Sequence, residues 1–305
     1  MHPETDFCRP ASVADALGMI EDGESMLLSG GTSIGLLLGQ GLIEPTRLVW
    51  LGGIPGFADI TVRDATLRIG AGATLRQLER HPDIRALVPA IAQAASSVGN
   101  PRIRAVATLG GALAHGDPRQ DLPPALAACG AVVEISGPGG TRRLSVDELA
   151  VGFLETAVGA DELIVAAEIP VGPNRNSVYL RYTPGSQADF PTVSAAAAAA
   201  WTPGGALLSV TLVMGGVGPT PIVVAEASSL SGGEAPTGRD VQHAFGSTDL
   251  ADRIAGVADA ARTRTEPLSD RLGSESYKRE MAAVWARRAL QDCLLRVPGD
   301  GPVAT

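Results

Sequence analysis

LLSGGTSIG at residues 27–35 and VATLGGALAHGDPRQDLPPAL at residues 106–126 are the two glycine-rich stretches around which this chain is organised. Each follows an apolar run, and a glycine pair at the end of a buried strand lets the backbone approach a ligand closely. Successive N–H groups in such a turn converge on an anion without a cationic side chain. Thr32, Ser33 and Thr108 add hydroxyl donors at the same places. We therefore predict two turns that together hold the two phosphates of a dinucleotide.

Neither turn is a nucleotide-binding signature by itself. The first loop is not a P-loop, because no lysine follows Gly35, and it lacks the GxGxxG spacing as well. A single glycine pair after a strand is more often an ordinary turn than a ligand site. The interpretation therefore depends on both loops and on the sequence around them.

The surrounding sequence resembles the FAD-binding subunits of the molybdenum hydroxylases, the group of xanthine dehydrogenase and carbon monoxide dehydrogenase. SGGTSIGLLLGQGLIEPTRLVWLGGIPGF at 29–57 resembles the first flavin loop of the family, and NPRIRAVATLGGALAHGDPRQDLPPALAACGA at 100–131 resembles the second. The likeness continues in the family's order through DELIVAAEIP (161–170), YLRYTPGSQADFPTVSAAAAA (179–199), GGVGPTPIVVAEA (215–227) and SYKREMAAVWARRAL (276–290). It spans nearly the whole chain.

The resemblance implies an α+β fold of the vanillyl-alcohol oxidase and p-cresol methylhydroxylase type. Two FAD-binding subdomains at 1–56 and 57–172 are followed by a C-terminal domain at 173–305, which completes the flavin pocket with a three-stranded antiparallel sheet and helices. The residues agree with this division. EIPVGPNRNS at 168–177 is rich in proline, glycine and asparagine and is the best boundary in the chain.

Periodicity predicts the local elements of the first two regions. Ser12 is expected to cap an amphipathic helix within 10–22, and Thr74 to cap a second one. Alternating apolar residues from Ala58 onward predict a hairpin that turns at Arg63–Asp64.

Beyond the boundary, SVYLRYT, VSAAAAAAW and ALLSVTLVMGGVG predict the three antiparallel strands. The alanine run at 195–200 alone favours a helix, but the turn at Gly204–Gly205 and the β-rich run after it favour a strand. Two helices are predicted at 238–261 and 274–293.

The resemblance assigns cofactor contacts and no catalytic or metal-binding residue. Asp121 falls on an aspartate that binds the ribityl or adenylate side of FAD, Arg181 on a cation that reaches the cofactor, and Phe190 on an apolar cover of the isoalloxazine. From the residues alone, Asp121 is equally well a helix N-cap, Arg181 a solvated strand edge and Phe190 ordinary packing. His115 and Asp117 form a tempting acid–base pair, which we interpret as structural. The predicted cofactor contacts are Leu27, Leu28, Ser29, Gly30, Gly31, Thr32, Ser33, Ile34, Val98, Thr108, Gly110, Gly111, Ala112, Asp121, Ile164, Arg181 and Phe190.

This chain also departs from the family pattern. Ala112 stands where the family has asparagine after the glycine pair, and Ala105 stands where asparagine often follows an arginine, so one polar contact near FAD is absent or replaced. Arg102 and Arg104 flank this loop and could compensate, although surface exposure is the simpler expectation for both. The first loop has Thr-Ser, unlike the His-Ser typical of carbon monoxide dehydrogenases.

Composition excludes several classes of function. With 45% hydrophobic and 19% charged residues in 305, the chain can bury more than one core. Its net charge of −9 argues against nucleic acid or an anionic membrane as a partner. No apolar run of membrane-spanning length occurs, and the start lacks signal-peptide character, so we expect a soluble, cytoplasmic protein. Its three cysteines cannot supply the four thiolates of an iron–sulfur cluster, and we see no metal site.

We therefore interpret the chain as a non-covalent FAD-binding electron-transfer subunit. The resemblance implies an iron–sulfur partner subunit that delivers electrons, a large molybdopterin subunit that hydroxylates the substrate, and a dimer of heterotrimers. Two alternatives stay open: a stand-alone flavin oxidase or reductase of the same fold, and a scaffold subunit that binds no cofactor.

Overall fold

The computed structural model describes residues 5–20, 24–231 and 248–295. The strands are β1 (Asp6–Cys8), β2 (Ser25–Leu28), β3 (Arg47–Trp50), β4 (Ile60–Arg63), β5 (Thr66–Gly70), β6 (Val132–Gly137), β7 (Gly140–Ser145), β8 (Ala150–Gly152), β9 (Glu155–Thr156), β10 (Leu163–Pro170), β11 (Arg175–Tyr182), β12 (Val193–Trp201), β13 (Leu207–Gly215) and β14 (Ile222–Val223). The helices are α1 (Val13–Gly18), α2 (Ile34–Gly39), α3 (Leu75–Arg80), α4 (Pro82–Leu87), α5 (Pro89–Ser97), α6 (Pro101–Arg104), α7 (Leu109–His115), α8 (Leu122–Ala128), α9 (Val146–Leu149), α10 (Thr248–Arg264) and α11 (Glu275–Leu295).

The first sheet is parallel, with strand order β1-β3-β2. Ser12 caps α1 by accepting a hydrogen bond from the Asp15 N–H, as predicted. Helix α2 follows β2 after a short loop that contains the first glycine pair. This loop lies at the carboxyl end of a parallel strand, where α/β folds place ligands.

The second sheet has the order β4-β5-β10-β6-β7 with antiparallel pairing. The predicted hairpin of β4 and β5 is confirmed, but its turn is centred on Asp64–Ala65, one residue later than expected. Both central residues have positive φ, 47° and 60°. A two-residue hairpin turn needs this conformation because it matches the twist of the flanking strands.

The third sheet contains the three predicted antiparallel strands β11, β12 and β13. It also contains the short strand β14, which pairs with β13 and was not predicted, because two residues are too few to show a periodicity. The alanine run is a strand, as the turn after it indicated. The predicted α+β fold class is confirmed.

Strand β12 lies between two hydrophobic cores. Ala196 and Ala198 pack into the first core together with the second sheet. Ala195, Ala197 and Ala199 pack into the other core with helices α10 and α11. Because side chains alternate between the faces of a strand, small residues on both faces let the two layers approach closely.

This arrangement predicts that the alanines tolerate no added volume. We expect Ala196→Leu to lower the free energy of unfolding by about 1–3 kcal/mol, because overpacking forces neighbouring side chains off their preferred rotamers. Leu208→Ala on β13 is the control, since Leu208 is 64% exposed. Denaturant unfolding measures both variants, and equal effects would show that the sheet is not close-packed on this face.

Helices α10 and α11 correspond to the two helices predicted at the C-terminal end. Residues 238–247 of the first predicted helix lie outside the described residues. Within the described part of the chain, no helix is both long and apolar enough to cross a membrane. The division of the chain into domains at residues 56 and 172 stays a prediction. Tyr179 of β11 lies beyond the second of these boundaries and packs into the first core.

Candidate functional site

The first glycine loop has a row of N–H groups that the fold leaves open. Gly31 adopts φ +69°, the left-handed conformation that favours glycine. Within the described residues, the N–H groups from Gly30 to Ile34 donate to no protein acceptor, and the next one, that of Gly35, donates to the Gly31 carbonyl at 2.8 Å. A run of N–H groups without protein acceptors around a left-handed glycine is suited to bind an anion.

The two glycine loops touch each other. The Thr108 hydroxyl donates to the Ser29 hydroxyl at 2.9 Å. A Cβ atom added at Gly30 would lie only 1.9 Å from the carbonyl oxygen of Val106. The loops therefore form one structural unit, although 79 positions separate Ser29 from Thr108.

The second loop is different from our prediction in one respect. The N–H groups of residues 109–112 all donate within the protein, at 2.8–3.2 Å, to the carbonyls of Ala71, Ala73 and Thr108 and to the Thr108 hydroxyl. The expectation that amides of both loops converge on one anion is therefore wrong for this segment. The sequence does not reveal this for Leu109 and Gly110, because their acceptors, Ala73 and Ala71, lie in the distant loop between β5 and α3.

Asp121 is a buried acceptor and not a helix cap. It precedes α8 but has helical φ and ψ of −76° and −35°, and its side chain makes no capping hydrogen bond. The carboxylate instead accepts hydrogen bonds from the Tyr179 hydroxyl at 2.6 Å and from the Arg181 guanidinium at 3.0 Å. Burial raises the pKa of Asp121, although Arg181 and Tyr179 oppose this shift. The N-cap interpretation is wrong.

Arg181 is likewise not a solvated edge residue, since its side chain is only 11% exposed. Besides Asp121, its guanidinium donates to the Ser97 carbonyl at 2.7 Å and to the carbonyls of Gln187 and Asp189. Arg181 thus joins helix α5, the start of α8 and the loop after β11.

Phe190 lies in that loop and presents its ring to solvent, with 48% of the residue exposed. The Arg119 guanidinium lies 4.6 Å from the ring centroid, within the range of a cation–π contact. Arg119 is held in turn by the Asp117 carboxylate at 2.9 Å. Burial acts to raise the pKa of Asp117, but the hydrogen bonds and charge of Arg119 outweigh it and the pKa is lowered.

The other predicted contacts are distributed between the loops and the core. Ile164 lies in the first core on β10 and is 5% exposed, and Val98 is partly buried against the same core. Ala112 and Leu27 also pack against that core. Partly buried positions of the first loop are Leu27, Leu28, Ser29, Gly30, Gly31, Thr32, Ser33 and Ile34.

Sequence reasoning missed two residues that build this region. Arg104 was expected at the surface, yet its side chain is 13% exposed and binds Glu79 at 2.9 Å and the Val98 carbonyl at 3.1 Å. Tyr179 was given no role, although it lies two residues before Arg181 and therefore on the same face of β11. That alternation was the available signal.

With this geometry in place, comparison with known proteins identifies the family. Residues 3–172 match the family described as the FAD binding domain in molybdopterin dehydrogenase. The chain belongs to the FAD-binding subunits of the molybdenum hydroxylases. Residues 179–293 match a second description, the CO dehydrogenase flavoprotein C-terminal domain.

Individual relatives cover most of the chain. The carbon monoxide dehydrogenase medium chain of Afipia carboxidovorans is 29% identical over 94% of this chain and 95% of its own length. The xanthine dehydrogenase FAD-binding subunit of Escherichia coli O157:H7 is 30% identical over 71% of this chain and 75% of its own length. A solved carbon monoxide dehydrogenase from Hydrogenophaga pseudoflava superposes with a TM-score of 0.86 at 26% identity, covering 97% of this chain and 99% of the other.

The residues present fit FAD, the cofactor of the family. The open N–H groups of the first loop suit a diphosphate, because they supply several donors without a countercharge. The Asp121 carboxylate suits hydroxyl donors, and Phe190 provides an exposed aromatic surface. Ala112 contributes only a methyl group, which packs against the core, so the family's asparagine has no polar equivalent at that position.

Proposed function

We propose that this chain is the electron-transfer subunit of a molybdopterin-dependent hydroxylase or dehydrogenase, receiving electrons from an iron–sulfur subunit and passing them to an external acceptor. The observation that carries the proposal is the open row of N–H groups from Gly30 to Ile34, in a loop locked onto the second glycine loop. Bound FAD supplies the redox chemistry, because its ring exchanges electrons singly or in pairs.

The protein's own residues position FAD and shield it from water. The N–H groups of the first loop and the hydroxyls of Thr32 and Ser33 bind the phosphates. Asp121 accepts hydrogen bonds from cofactor hydroxyls. Phe190 covers an apolar surface and excludes water from it. In this role none of these residues has to move a proton, so the proposal assigns no catalytic acid or base.

The assembly is part of the proposal. In this proposal, molybdopterin and iron–sulfur clusters reside on a large and a small partner subunit. The name of one relative, a medium chain, supports companion chains of other sizes, and the name of a solved relative refers to a molybdenum cofactor. Two such heterotrimers form the complete enzyme. A cytoplasmic location is proposed with it and is supported by Cys8 and Cys129, whose thiols form no disulfide among the described residues and suit a reducing compartment.

Affinity purification of the chain from its native host tests this function. We expect FAD in near-equal amount with this chain, together with two further polypeptides that carry iron and molybdenum. Chemical reduction of the complex should bleach the flavin absorbance. Adding NAD, a quinone or oxygen to separate samples should then restore it. The acceptor that restores the absorbance fastest indicates the physiological class of acceptor.

Two outcomes would contradict the proposal. A yellow chain that purifies without iron or molybdenum and turns over a substrate alone is a stand-alone flavoenzyme. A colourless chain that binds no added FAD is a scaffold subunit. Absorbance and metal analysis of the same preparation separate these cases.

A further inference from the structure

Helix α5 and strand β11 are joined by polar contacts at regular spacing. The Ser177 hydroxyl accepts the Ala90 N–H at 3.2 Å, and Gln93 accepts the Tyr179 N–H at 2.7 Å. The next residue on that face of β11, Arg181, donates to the α5 carbonyl of Ser97. These contacts fix the position of every second residue of β11 against the helix, and Tyr179 is the central one.

Hydrogen bonds fix both the backbone and the side-chain hydroxyl of Tyr179. Its backbone is fixed by Gln93, only 4% of the residue is exposed, and its hydroxyl donates to Oδ1 of Asp121 at 2.6 Å. Burial and the neighbouring Asp121 charge raise the pKa of Tyr179 well above its usual value. The hydroxyl therefore stays protonated and remains a donor throughout the physiological pH range.

The donors around Asp121 leave part of its capacity unused. Oδ1 accepts from Tyr179 and Arg181, while Oδ2 accepts from Arg181 alone among the described residues. A carboxylate has about four acceptor positions. Because the side chain is 5% exposed, the unused position cannot be filled freely by bulk water.

We propose that Tyr179 is a positioning residue for FAD: by fixing Oδ1 of Asp121 it keeps the remaining acceptor position of that carboxylate available to cofactor hydroxyl groups. This inference rests on the proposed FAD binding. It concerns a residue that itself need not touch the cofactor, and it gives the C-terminal sheet a direct part in the site.

The same contacts set a pH dependence. The titratable and charged groups that face Asp121 are Tyr179 and Arg181, both from β11, while α5 contributes the Ser97 carbonyl to Arg181. Loss of a donor to the ionised carboxylate raises its pKa, since the charged form loses stabilisation. When the solution is acidified, the FAD affinity of Tyr179→Phe should therefore begin to fall at a higher pH than the affinity of the wild-type complex does.

The experiment titrates FAD into the flavin-depleted complex and follows flavin fluorescence at several pH values. We expect Tyr179→Phe to raise the Kd for FAD by about tenfold or more, because a hydrogen bond to a charged group is lost. Tyr182→Phe is the matched control, since the Tyr182 hydroxyl is within 2.8 Å of the Tyr277 hydroxyl and not bonded to Asp121. It should leave the Kd and its pH profile unchanged.

Two further variants distinguish a positioning role of Tyr179 from a purely structural one. Asp121→Glu retains the charge but displaces the carboxylate from the Tyr179 hydroxyl, and we expect a comparable loss of affinity. Adding Tyr179→Phe to Asp121→Asn should cause no further loss, which a purely structural role would not predict. A Tyr179→Phe Kd and pH profile equal to wild type, or wild-type affinity in Asp121→Glu, would overturn the inference. If the wild-type complex itself binds no FAD, the proposed function fails and the inference fails with it.

Discussion

Replacing Gly30 with alanine is expected to weaken FAD binding about a hundredfold. The added Cβ would lie 1.9 Å from the Val106 carbonyl oxygen and 3.0 Å from the Ala107 Cα, both of them backbone atoms. The two glycine loops must then separate, which disturbs the open N–H row and the Ser29–Thr108 hydrogen bond. We expect a cost of roughly 3 kcal/mol, corresponding to about a hundredfold weaker FAD binding.

Gly35→Ala is the matched control for this prediction. Gly35 lies in α2, five positions further on, and a Cβ there meets no other described atom within 4 Å. Alanine is the better helix former, so this variant should be as stable as wild type or slightly more so. FAD titration and thermal unfolding measure both variants. If Gly30→Ala retained the cofactor as well as Gly35→Ala does, the contact between the loops would not matter for binding.

Arg181→Met is expected to lower the free energy of unfolding by about 3–5 kcal/mol, because it leaves the Asp121 carboxylate buried without its cation. The loop after β11 also loses its bonds from the Arg181 guanidinium to the Gln187 and Asp189 carbonyls. FAD affinity should fall together with stability, since Phe190 lies in this loop. Denaturant unfolding of the cofactor-free chain measures the loss of stability separately from the loss of FAD affinity.

An exposed ion pair serves as the comparison. Arg264 donates to the Glu226 carboxylate through Nε and Nη2, but the two side chains are 46% and 40% exposed. Solvent screens such pairs, so Arg264→Met should leave stability nearly unchanged. Combining Arg181→Met with Asp121→Asn should restore part of the lost stability, since the uncompensated charge is removed. Equal losses for the two arginine variants would refute the account of Asp121 and Arg181 as a buried pair.

Much of the fold could be predicted because its signals are local. Ser12 and Thr74 cap their helices as expected, since a capping hydrogen bond spans three residues. The turn that follows the alanine run predicts that this run is a strand, and the structure agrees. The turn at Asp64–Ala65 was missed by one residue because φ values do not follow from alternation alone.

The family, the fold class and the two glycine loops could be predicted from the amino-acid sequence alone, because motifs and periodicities along the chain carry them. Folding of the whole chain, by contrast, leaves the N–H groups of the first loop open and uses those of residues 109–112 in internal hydrogen bonds. It also decided that Asp121 pairs with Arg181, 60 positions away, and with Tyr179. The physical reason is that a buried polar group must find its partner wherever packing brings one, and packing joins residues that are distant in the chain.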